Sequence, residues 1–485
     1  MGGIDSTMLK VFSLIVAAFI SVTLLAPGAE QLPGSSPAAA KMKWKRTVAP
    51  GVSYRLYRLP KPNKVRVVTF VPSSGPTLRP VLGSNLLPGF ERTSSMARRS
   101  GAIAAINGDY ARSTGHPVFT FARKGRLDQM PAIDPYSGGF EYGRNFSIDI
   151  HDEETYFGHP ETTAWVSHSS PEGGAYEVHR VNGSRSRASA DQLRAYTSAG
   201  GGTDRPPARG CFVRLRPYGS PQAADATTAP LNVNKKSIAP VGVESPHFVE
   251  KARCGPGRVY PKGGIVLHTP WDGRYADALR AMQPGEEVVF GWSLGWPDVF
   301  ATIGGNPTLI EDGHVQHQSI DDGSSFTSDR HPRTVIAYND DNGKLFLVTV
   351  DGRQPRYSRG MTLTNLTRFL RNRLGATDAL NLDGGGSTTM VLGGKVKGRP
   401  SDGVERPVSS ALAIVPRGVT TKSQGLSAAA PEVIERCGGR RFHRDGRGSR
   451  FSGRSLGLPR RPRLRASRIS RAHGRRLSGY ALRAI

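Results

Sequence analysis

Cysteine is scarce in this chain of 485 residues, and three cysteines exclude a fold held together by several disulfides. Hydrophobic residues make up only 37% of the composition, yet this is enough to bury a core. Beyond one stretch near the N-terminus there is no run of about 18 apolar residues, which excludes a polytopic membrane protein. The 58 glycines and 36 prolines interrupt helical periodicity and argue against a helical bundle or a coiled coil.

Acidic residues are too few to balance the basic ones, and the net charge is +27. The excess is concentrated at the C-terminus, where residues 436–485 contain 16 arginines, no lysine and one aspartate. We expect residues 417–485 to form a disordered Arg-rich tail, because they lack an apolar period. Such a tail can adhere to anionic polymers, and a solvated segment without function is the simpler alternative. Confinement of the charge to the tail argues against a partner that is a specific nucleic acid.

The N-terminus carries the one apolar run, residues 11–26, which follows Lys10. This run is short for a membrane span and typical of a secretory signal, so residues 1–29 are predicted to be a signal peptide. An uncleaved anchor is the alternative. Residues 30–47 are rich in Pro, Ser and Ala, which predicts a linker. We expect a secreted, extracellular or cell-wall-associated protein with no membrane span after signal removal.

Export favours cysteine oxidation, so Cys211 and Cys254 are expected to form the one disulfide. Both lie between residues 48 and 416, whereas Cys437 lies in the tail and is expected to stay free or to pair between chains.

Between residues 48 and 416, short β-rich segments alternate with Gly/Pro turns. This predicts an α+β fold with one sheet-dominated catalytic domain and few helices. The strands are expected at 65–71, 334–338, 345–350 and 410–415, with the second and third joined by a hairpin that ends in Asn342-Gly343. The best helix spans 363–374, with Thr362 as its N-cap and Gly375 as its C-terminal stop.

Two segments of the chain resemble each other. Residues 99–109 and 373–383 are identical at six of eleven positions. Each follows a predicted helical stretch, over 91–99 and 363–374, and then predicts a glycine, a short buried strand and Asn-x-Asp. A repeated unit would place two Asn-x-Asp groups at strand ends. Chance similarity between segments with the same helix–strand order is the alternative.

The sharpest motif is the loop Asn381-Leu382-Asp383-Gly384-Gly385-Gly386-Ser387-Thr388. Three consecutive glycines allow a ligand to approach the backbone closely, and their N–H groups can form a nest for an anion. A tight turn without function is the alternative, although one glycine would satisfy it. The loop lacks the lysine of a phosphate-binding P-loop, and the chain has no zinc-protease motif. His314 and His317 do not have the spacing of a standard metal site.

Arg333 precedes a predicted strand and Arg353 follows an Asp-Gly turn. Arginines in such places are often solvated, but a guanidinium is also the natural bidentate partner of a phosphate diester.

These motifs together resemble the phosphodiester glycosidase family. The resemblance rests on Arg333-Thr-Val-Ile-Ala, Asp351-Gly-Arg353, the segments 360–363 and 379–390, and Glu405-Arg406-Pro-Val. Upstream, Asn107-Gly-Asp109-Tyr is similar to a family motif in which the position of Asp109 is usually glycine. The similarity extends over residues 48–416.

The resemblance implies hydrolysis of the bond between the anomeric carbon of a sugar and a phosphodiester, which leaves a phosphomonoester. Asp383 is the first catalytic candidate and Asp351 the second, as nucleophile or as base on water. No cofactor is required by these motifs, and a divalent cation stays an open alternative. The expected partner is a phosphorylated glycan substrate, and a non-catalytic secreted binder of phosphorylated or anionic glycans is the alternative function. The predicted substrate-binding and phosphate-binding residues are Arg333, Arg353, Gly384, Gly385, Gly386, Ser387, Thr388, Asn107, Asp109, Asn381 and Arg406.

Overall fold

Strands dominate the computed structural model of the chain. The structure describes residues 41–131, 144–149, 154–160, 162–168, 174–183, 189–200, 204–217, 244–296 and 299–417. In these residues the strands are β1 (Lys41–Ala49), β2 (Val52–Leu59), β3 (Asn63–Phe70), β4 (Thr77–Leu82), β5 (Glu91–Arg92), β6 (Ala104–Asn107), β7 (Phe121–Arg123), β8 (Arg126–Gln129), β9 (Arg144–Asp149), β10 (Thr155–Gly158), β11 (Thr163–His168), β12 (Ala175–Glu177), β13 (Arg180–Val181), β14 (Arg194–Thr197), β15 (Arg209–Pro217), β16 (Glu244–Pro256), β17 (Ile265–Thr269), β18 (Glu287–Ser293), β19 (Val299–Gly305), β20 (Thr308–Glu311), β21 (His314–Val315), β22 (Arg333–Asn339), β23 (Lys344–Val350), β24 (Asp378–Leu382), β25 (Met390–Leu392), β26 (Lys395–Lys397), β27 (Pro407–Val408) and β28 (Ser410–Val415).

Helices are few and short, as the α+β prediction requires. They are α1 (Thr93–Arg99), α2 (Ala276–Ala281), α3 (His317–Ile320), α4 (Ser325–Ser328) and α5 (Leu363–Phe369), which continues as a π turn over Leu370–Leu374. Short 3₁₀ turns occur at Pro72–Ser74, Gly83–Asn85 and Gly385–Ser387. The predicted fold class is therefore confirmed.

The strands form four large sheets. The main sheet has the order β1-β2-β3-β23-β22-β24-β20-β21, and the second sheet has the order β26-β25-β6-β28-β4. The third sheet is β10-β9-β19-β7-β8, and the fourth is β12-β11-β18-β16-β15-β17-β14-β13. Strands β5 and β27 form a separate pair. Nearly all pairings are antiparallel, which suits short strands that are joined by tight turns.

The central core lies between the first three sheets. It contains Phe70 and Leu347 of the main sheet, Ile106 and Leu412 of the second and Ile148 of the third, all almost completely buried. The fourth sheet packs a separate core around residues such as Val213 and Phe290. Residue alternation along β3 sends Val65 and Val67 to the opposite face of the main sheet, where α5 covers them.

The predicted helix at 363–374 has the expected ends. The Thr362 hydroxyl accepts a hydrogen bond from the N–H of Asn365 at 3.1 Å, and Gly375 takes the left-handed conformation with φ 66°. The five predicted apolar residues are buried against the main sheet: Leu363, Leu366, Phe369, Leu370 and Leu374. The predicted strands and their hairpin are also present, within a residue or two.

Two boundaries differ from expectation. Strand β1 begins at Lys41, inside the predicted linker, and pairs with β2 along its length. The helical stretch predicted from Glu91 begins only at Thr93, because Glu91 and Arg92 pair with Pro407 and Val408.

Cys211 and Cys254 face each other on β15 and β16 and form the predicted disulfide. The predicted signal peptide, Cys437 and the body of the Arg-rich tail lie outside the described residues. Within the part of the chain that is described, no helix has the length and hydropathy needed to cross a membrane.

Candidate functional site

The two Asn-x-Asp segments meet in space although they belong to different sheets. Strand β6 ends at Asn107 and β24 ends just before Asp383. The Asn107 side-chain amide donates to the Asp383 carbonyl at 2.7 Å, and the Asp383 N–H donates to the Gly108 carbonyl at 3.1 Å. The main sheet and the second sheet are therefore joined where both strands end.

Asn107 and Asn381, two of the predicted substrate-binding residues, hold this junction together. Asn107 Oδ1 accepts from the Thr334 hydroxyl at 2.9 Å and from the Thr389 N–H at 3.0 Å. The Asn381 amide donates to the Tyr110 hydroxyl and to the Asn306 carbonyl, both at 2.8 Å. Both side chains are buried and their donors are engaged within the protein.

Asp383 presents a partly exposed carboxylate at the mouth of the glycine loop. Burial raises its pKa to about 6, while hydrogen bonds from the Ser387 hydroxyl and the Gly384 N–H and the charge of Arg406 oppose that rise. The carboxylate is thus ionised at neutral pH and is held by two donors and one cation.

The three glycines of the loop have different neighbours. A side chain at Gly384 would meet the Pro332 carbonyl at 2.8 Å, and one at Gly386 would displace the side-chain ends of Arg406 and Asp402. Gly385 has φ +57°, and its Cα faces the guanidinium of Arg353.

The expected nest of free amides is not what the loop forms. The Gly385 N–H donates to the Pro332 carbonyl at 2.9 Å, and the Gly384 N–H serves Asp383. The amides of Ser387 and Thr388 close the 3₁₀ turn by donating to the carbonyls of Gly384 and Gly385. The Thr388 hydroxyl faces inward and accepts from Thr334 at 3.3 Å.

Arg333 lies at the start of β22, opposite the end of β24, because Thr334 pairs with Leu382. Its side chain is 1% exposed, and three backbone carbonyls hold it in place. Its Nε donates to the Met361 carbonyl at 3.1 Å. Its Nη2 donates to the backbone carbonyls of Phe326 at 2.5 Å and of Asp329 at 3.2 Å. No described residue accepts from Nη1, so its two N–H groups are left for a ligand. Burial lowers the pKa of Arg333 to about 10, and the guanidinium stays charged.

Arg353 is a second cation beside Arg333. It is exposed, has a left-handed backbone with φ 58°, and donates through Nη2 to the His331 ring at 3.3 Å. The charges of Arg333 and Arg353 both help to lower the pKa of His331, after partial burial. Among the described residues neither arginine has a carboxylate within ion-pair distance, an arrangement that favours an anionic ligand.

Arg406 is placed differently, because it forms an ion pair with Asp402 at 2.5 Å directly over Gly386. Its positive charge still acts on the Asp383 carboxylate.

Asp351, the second catalytic candidate, is engaged elsewhere. It is buried, and its Oδ2 lies 2.5 Å from Nη1 of Arg66 in an ion pair. Its other oxygen faces Gly398. Asp383 is therefore the carboxylate that the structure leaves beside the unpaired cations.

Asp109 is fully buried and accepts a hydrogen bond from the Phe119 N–H at 2.9 Å through Oδ2, whereas no described residue donates to Oδ1. Burial raises its pKa to about 8, and the nearby charge of Asp383 adds to this. It is a protonated side chain of the interior at neutral pH, which does not suit the predicted role in binding phosphate.

The sequence motifs indicate no role for Tyr110, which lies near Asp383, Asp109 and Arg333. Its hydroxyl donates to the Asn306 carbonyl at 2.7 Å and accepts from Asn381, and burial raises its pKa. Its position directly after Asn107-Gly-Asp109 is the sequence feature that could have indicated a place for Tyr110 in the site. Asp402 was also missed, although its spacing of four residues from Arg406 is typical of an ion pair.

The described residues contain no group of three or more His, Cys, Asp or Glu side chains that could hold a metal ion. His314 begins β21 and His317 begins α3.

The site thus combines an ionised carboxylate, two cations without acidic partners among the described residues and a partly buried tyrosine, at the junction of the sheets of an α+β fold. Residues 237–415 match the model of the phosphodiester glycosidase family, which confirms the resemblance seen in the sequence motifs for this segment.

Two other proteins are similar in sequence to this chain over short stretches. The prophage-derived protein YomE of Bacillus subtilis is 40% identical over 85 residues, which is 18% of this chain and 13% of YomE. N-acetylglucosamine-1-phosphodiester alpha-N-acetylglucosaminidase of the mouse is 39% identical over 79 residues, or 16% of this chain and 14% of the enzyme. The aligned parts therefore span only about a seventh of these relatives.

A crystal structure of a hypothetical protein from Synechocystis shares the fold. Its TM-score is 0.54 at 20% identity, over 76% of this chain and 62% of the Synechocystis chain.

Proposed function

We propose that this chain is a secreted hydrolase that cleaves the bond between the anomeric carbon of a sugar and the phosphate of a phosphodiester. The observation that carries the proposal is the placement of the Asp383 carboxylate at the strand end opposite Arg333, whose Nη1 has no partner in the described protein. The match of residues 237–415 to the phosphodiester glycosidase family supports the same reaction class.

The proposed reaction divides the charges between two halves of the site. As the bond from the anomeric carbon to the phosphate oxygen breaks, its electron pair stays on the phosphate, and Arg333 and Arg353 stabilise that growing negative charge. The sugar carbon becomes cationic, and the ionised Asp383 stabilises it as nucleophile or as base on the attacking water. Water supplies the hydroxyl of the released sugar, and the other product is a phosphomonoester.

Tyr110 and the two asparagines act indirectly in this proposal. Asn381 orients the Tyr110 hydroxyl, and Asn107 fixes the backbone carbonyl of Asp383. We therefore treat them as positioning residues, because their polar groups contact the protein.

Secretion is part of the proposal. The disulfide between Cys211 and Cys254 supports an oxidising compartment, in agreement with the predicted signal at residues 1–29. N-terminal sequencing of the exported protein tests this, and an intact Met1 in a membrane fraction would contradict it.

The decisive experiment is a screen of the purified full chain against sugar-phosphodiesters, with and without a chelator. We expect release of free sugar and phosphomonoester by the wild type and none by Asp383→Asn. Binding without turnover by the wild type would instead favour the alternative of a non-catalytic glycan binder. Loss of turnover on chelation would show that a divalent ion is needed.

A further inference from the structure

A second group of cations surrounds the ring of Tyr357, close to the site described above. The Lys64 ammonium lies 3.1 Å from the ring centroid, and the Arg399 guanidinium lies 4.4 Å from it. Arg66 donates to the Tyr357 hydroxyl at 3.0 Å. Cations favour the faces of aromatic rings, but three cations around one ring also repel one another.

The acidic residues nearby do not balance these charges. The one carboxylate of the group is Asp351, and it forms the buried ion pair with Arg66. In the described part of the chain neither Lys64 nor Arg399 has a carboxylate within ion-pair distance. Arg58 adds a further positive charge, since it stands directly opposite Lys64 in the pairing of β2 with β3.

Like charges in directly opposite positions destabilise a pair of strands. Partial burial and the charges of Arg58, Arg66 and Arg399 accordingly lower the pKa of Lys64. An anion placed against Lys64 and Arg399 would relieve this repulsion.

The cluster is connected to the proposed phosphate site by short segments of chain. Asp351 and Arg353 are two residues apart, and the side-chain amide of Gln354 donates to the Arg399 carbonyl at 3.0 Å. The same loop continues to Asp402 and Arg406, which cover Gly386. Arg399 therefore lies on the loop that also borders the Asp383 site.

We propose that Lys64, Arg399 and Tyr357 form a second anion subsite, which holds a neighbouring phosphate of a glycan chain with repeated phosphate groups. This inference rests on the proposed function and narrows its substrate class from an isolated sugar-phosphodiester to an anionic polymer. Proximity to the Asp383 site favours a substrate chain over a nucleic acid or a membrane, which would require no such proximity.

The test is titration calorimetry of the full chain with medium-chain inorganic polyphosphate and with orthophosphate. The variant is the double substitution Lys64→Gln with Arg399→Gln. Its charge-matched control is Lys344→Gln with Arg373→Gln, which removes two exposed cations near the opposite end of the β22–β23 hairpin. The Arg-rich tail is present in both proteins, so its attraction for polyanions cancels in the comparison.

We expect the Lys64/Arg399 variant to bind polyphosphate about tenfold more weakly than the control, and its affinity to depend less on salt. The loss for orthophosphate should be smaller. A charge-preserving variant, Lys64→Arg with Arg399→Lys, should retain polyphosphate affinity and so separate the loss of charge from a folding defect. Equal losses in both Gln variants would overturn the subsite.

The same titrations with a DNA oligonucleotide and with anionic phospholipid vesicles address the other partners. A loss limited to DNA or to vesicles would overturn the glycan assignment. Calorimetry does not depend on turnover, so failure to hydrolyse any sugar-phosphodiester would reject the proposed function and leave this binding test interpretable.

Discussion

Asn107-Gly108-Asp109 and Asn381-Leu382-Asp383 show how one pattern serves two purposes. Each follows a helix, a left-handed glycine and a buried strand, and the two strand ends touch. Asp109 is fully buried and has a pKa of about 8. Asp383 is partly exposed and has a pKa of about 6, with Ser387, Gly384 and Arg406 around it. The surroundings, and not the motif, leave the Asp383 carboxylate ionised at neutral pH and the Asp109 carboxyl protonated in the interior.

The largest expected effect comes from removing the exposed carboxylate. Asp383→Asn should lower kcat on an accepted sugar-phosphodiester by about 10³-fold and change substrate affinity only a few-fold, because the cation that it stabilises exists only in the transition state. Steady-state kinetics measures both quantities. Asp109→Asn is the matched control at the other strand end and should retain turnover.

Retained turnover in Asp383→Asn would contradict the different roles assigned to the two aspartates. If Asp383→Asn stays active, Asp383 merely closes the turn, since Asn serves turns as well as Asp. Asp351 would then become the catalytic candidate in spite of its ion pair with Arg66.

The second effect concerns the cation opposite Asp383. Arg333→Met should lower kcat/KM by about 100-fold and also weaken inhibition by the phosphomonoester product, because phosphate is anionic before and after cleavage. Product-inhibition constants test this. Arg373→Met removes an exposed arginine and serves as the control. Loss of turnover with unchanged product inhibition would mean that Arg333 only supports the carbonyls of Phe326, Asp329 and Met361.

Local signals allowed much of this fold to be predicted from the sequence. The caps of α5, the strands β22, β23 and β28 and the glycine loop depend on neighbouring residues. The engagement of the asparagines and of Asp351 could not be predicted in the same way. Asp351 meets Arg66 across 285 positions of sequence, and Asn107 meets Asp383 across 276. The sequence motifs ranked Asp383 before Asp351, but only the fold shows that Asp351 is held in a buried ion pair with Arg66.

The third prediction concerns the free energy of unfolding and how the buried Asp109 makes it depend on pH. The unfolded chain loses the Asp109 proton near the ordinary pKa of 3.8, whereas the folded chain keeps it up to about 8. The folded state binds more protons in that window, so the contribution of this group to stability falls as pH rises from about 4 to about 8. Asp109→Asn abolishes this dependence and should gain stability relative to the wild type over that range. Urea unfolding at several pH values measures it, and parallel curves for the two proteins would contradict it.

The smallest expected effect concerns the hydrogen bond that the Ser387 hydroxyl donates to the Asp383 carboxylate. If the ionised carboxylate is the active form, kcat/KM rises with pH through the pKa of about 6. Ser387→Ala removes a donor that favours the charged form, so the pKa of Asp383 rises and the acidic limb of the profile moves to higher pH. Asp109→Asn should leave that limb in place, because Asp109 is protonated and uncharged throughout this range. The pH–rate profiles of the three proteins decide the point. A shift in Asp109→Asn that equals the shift in Ser387→Ala would show that the two aspartates titrate as one coupled pair, and the division of roles between the two strand ends would have to be abandoned.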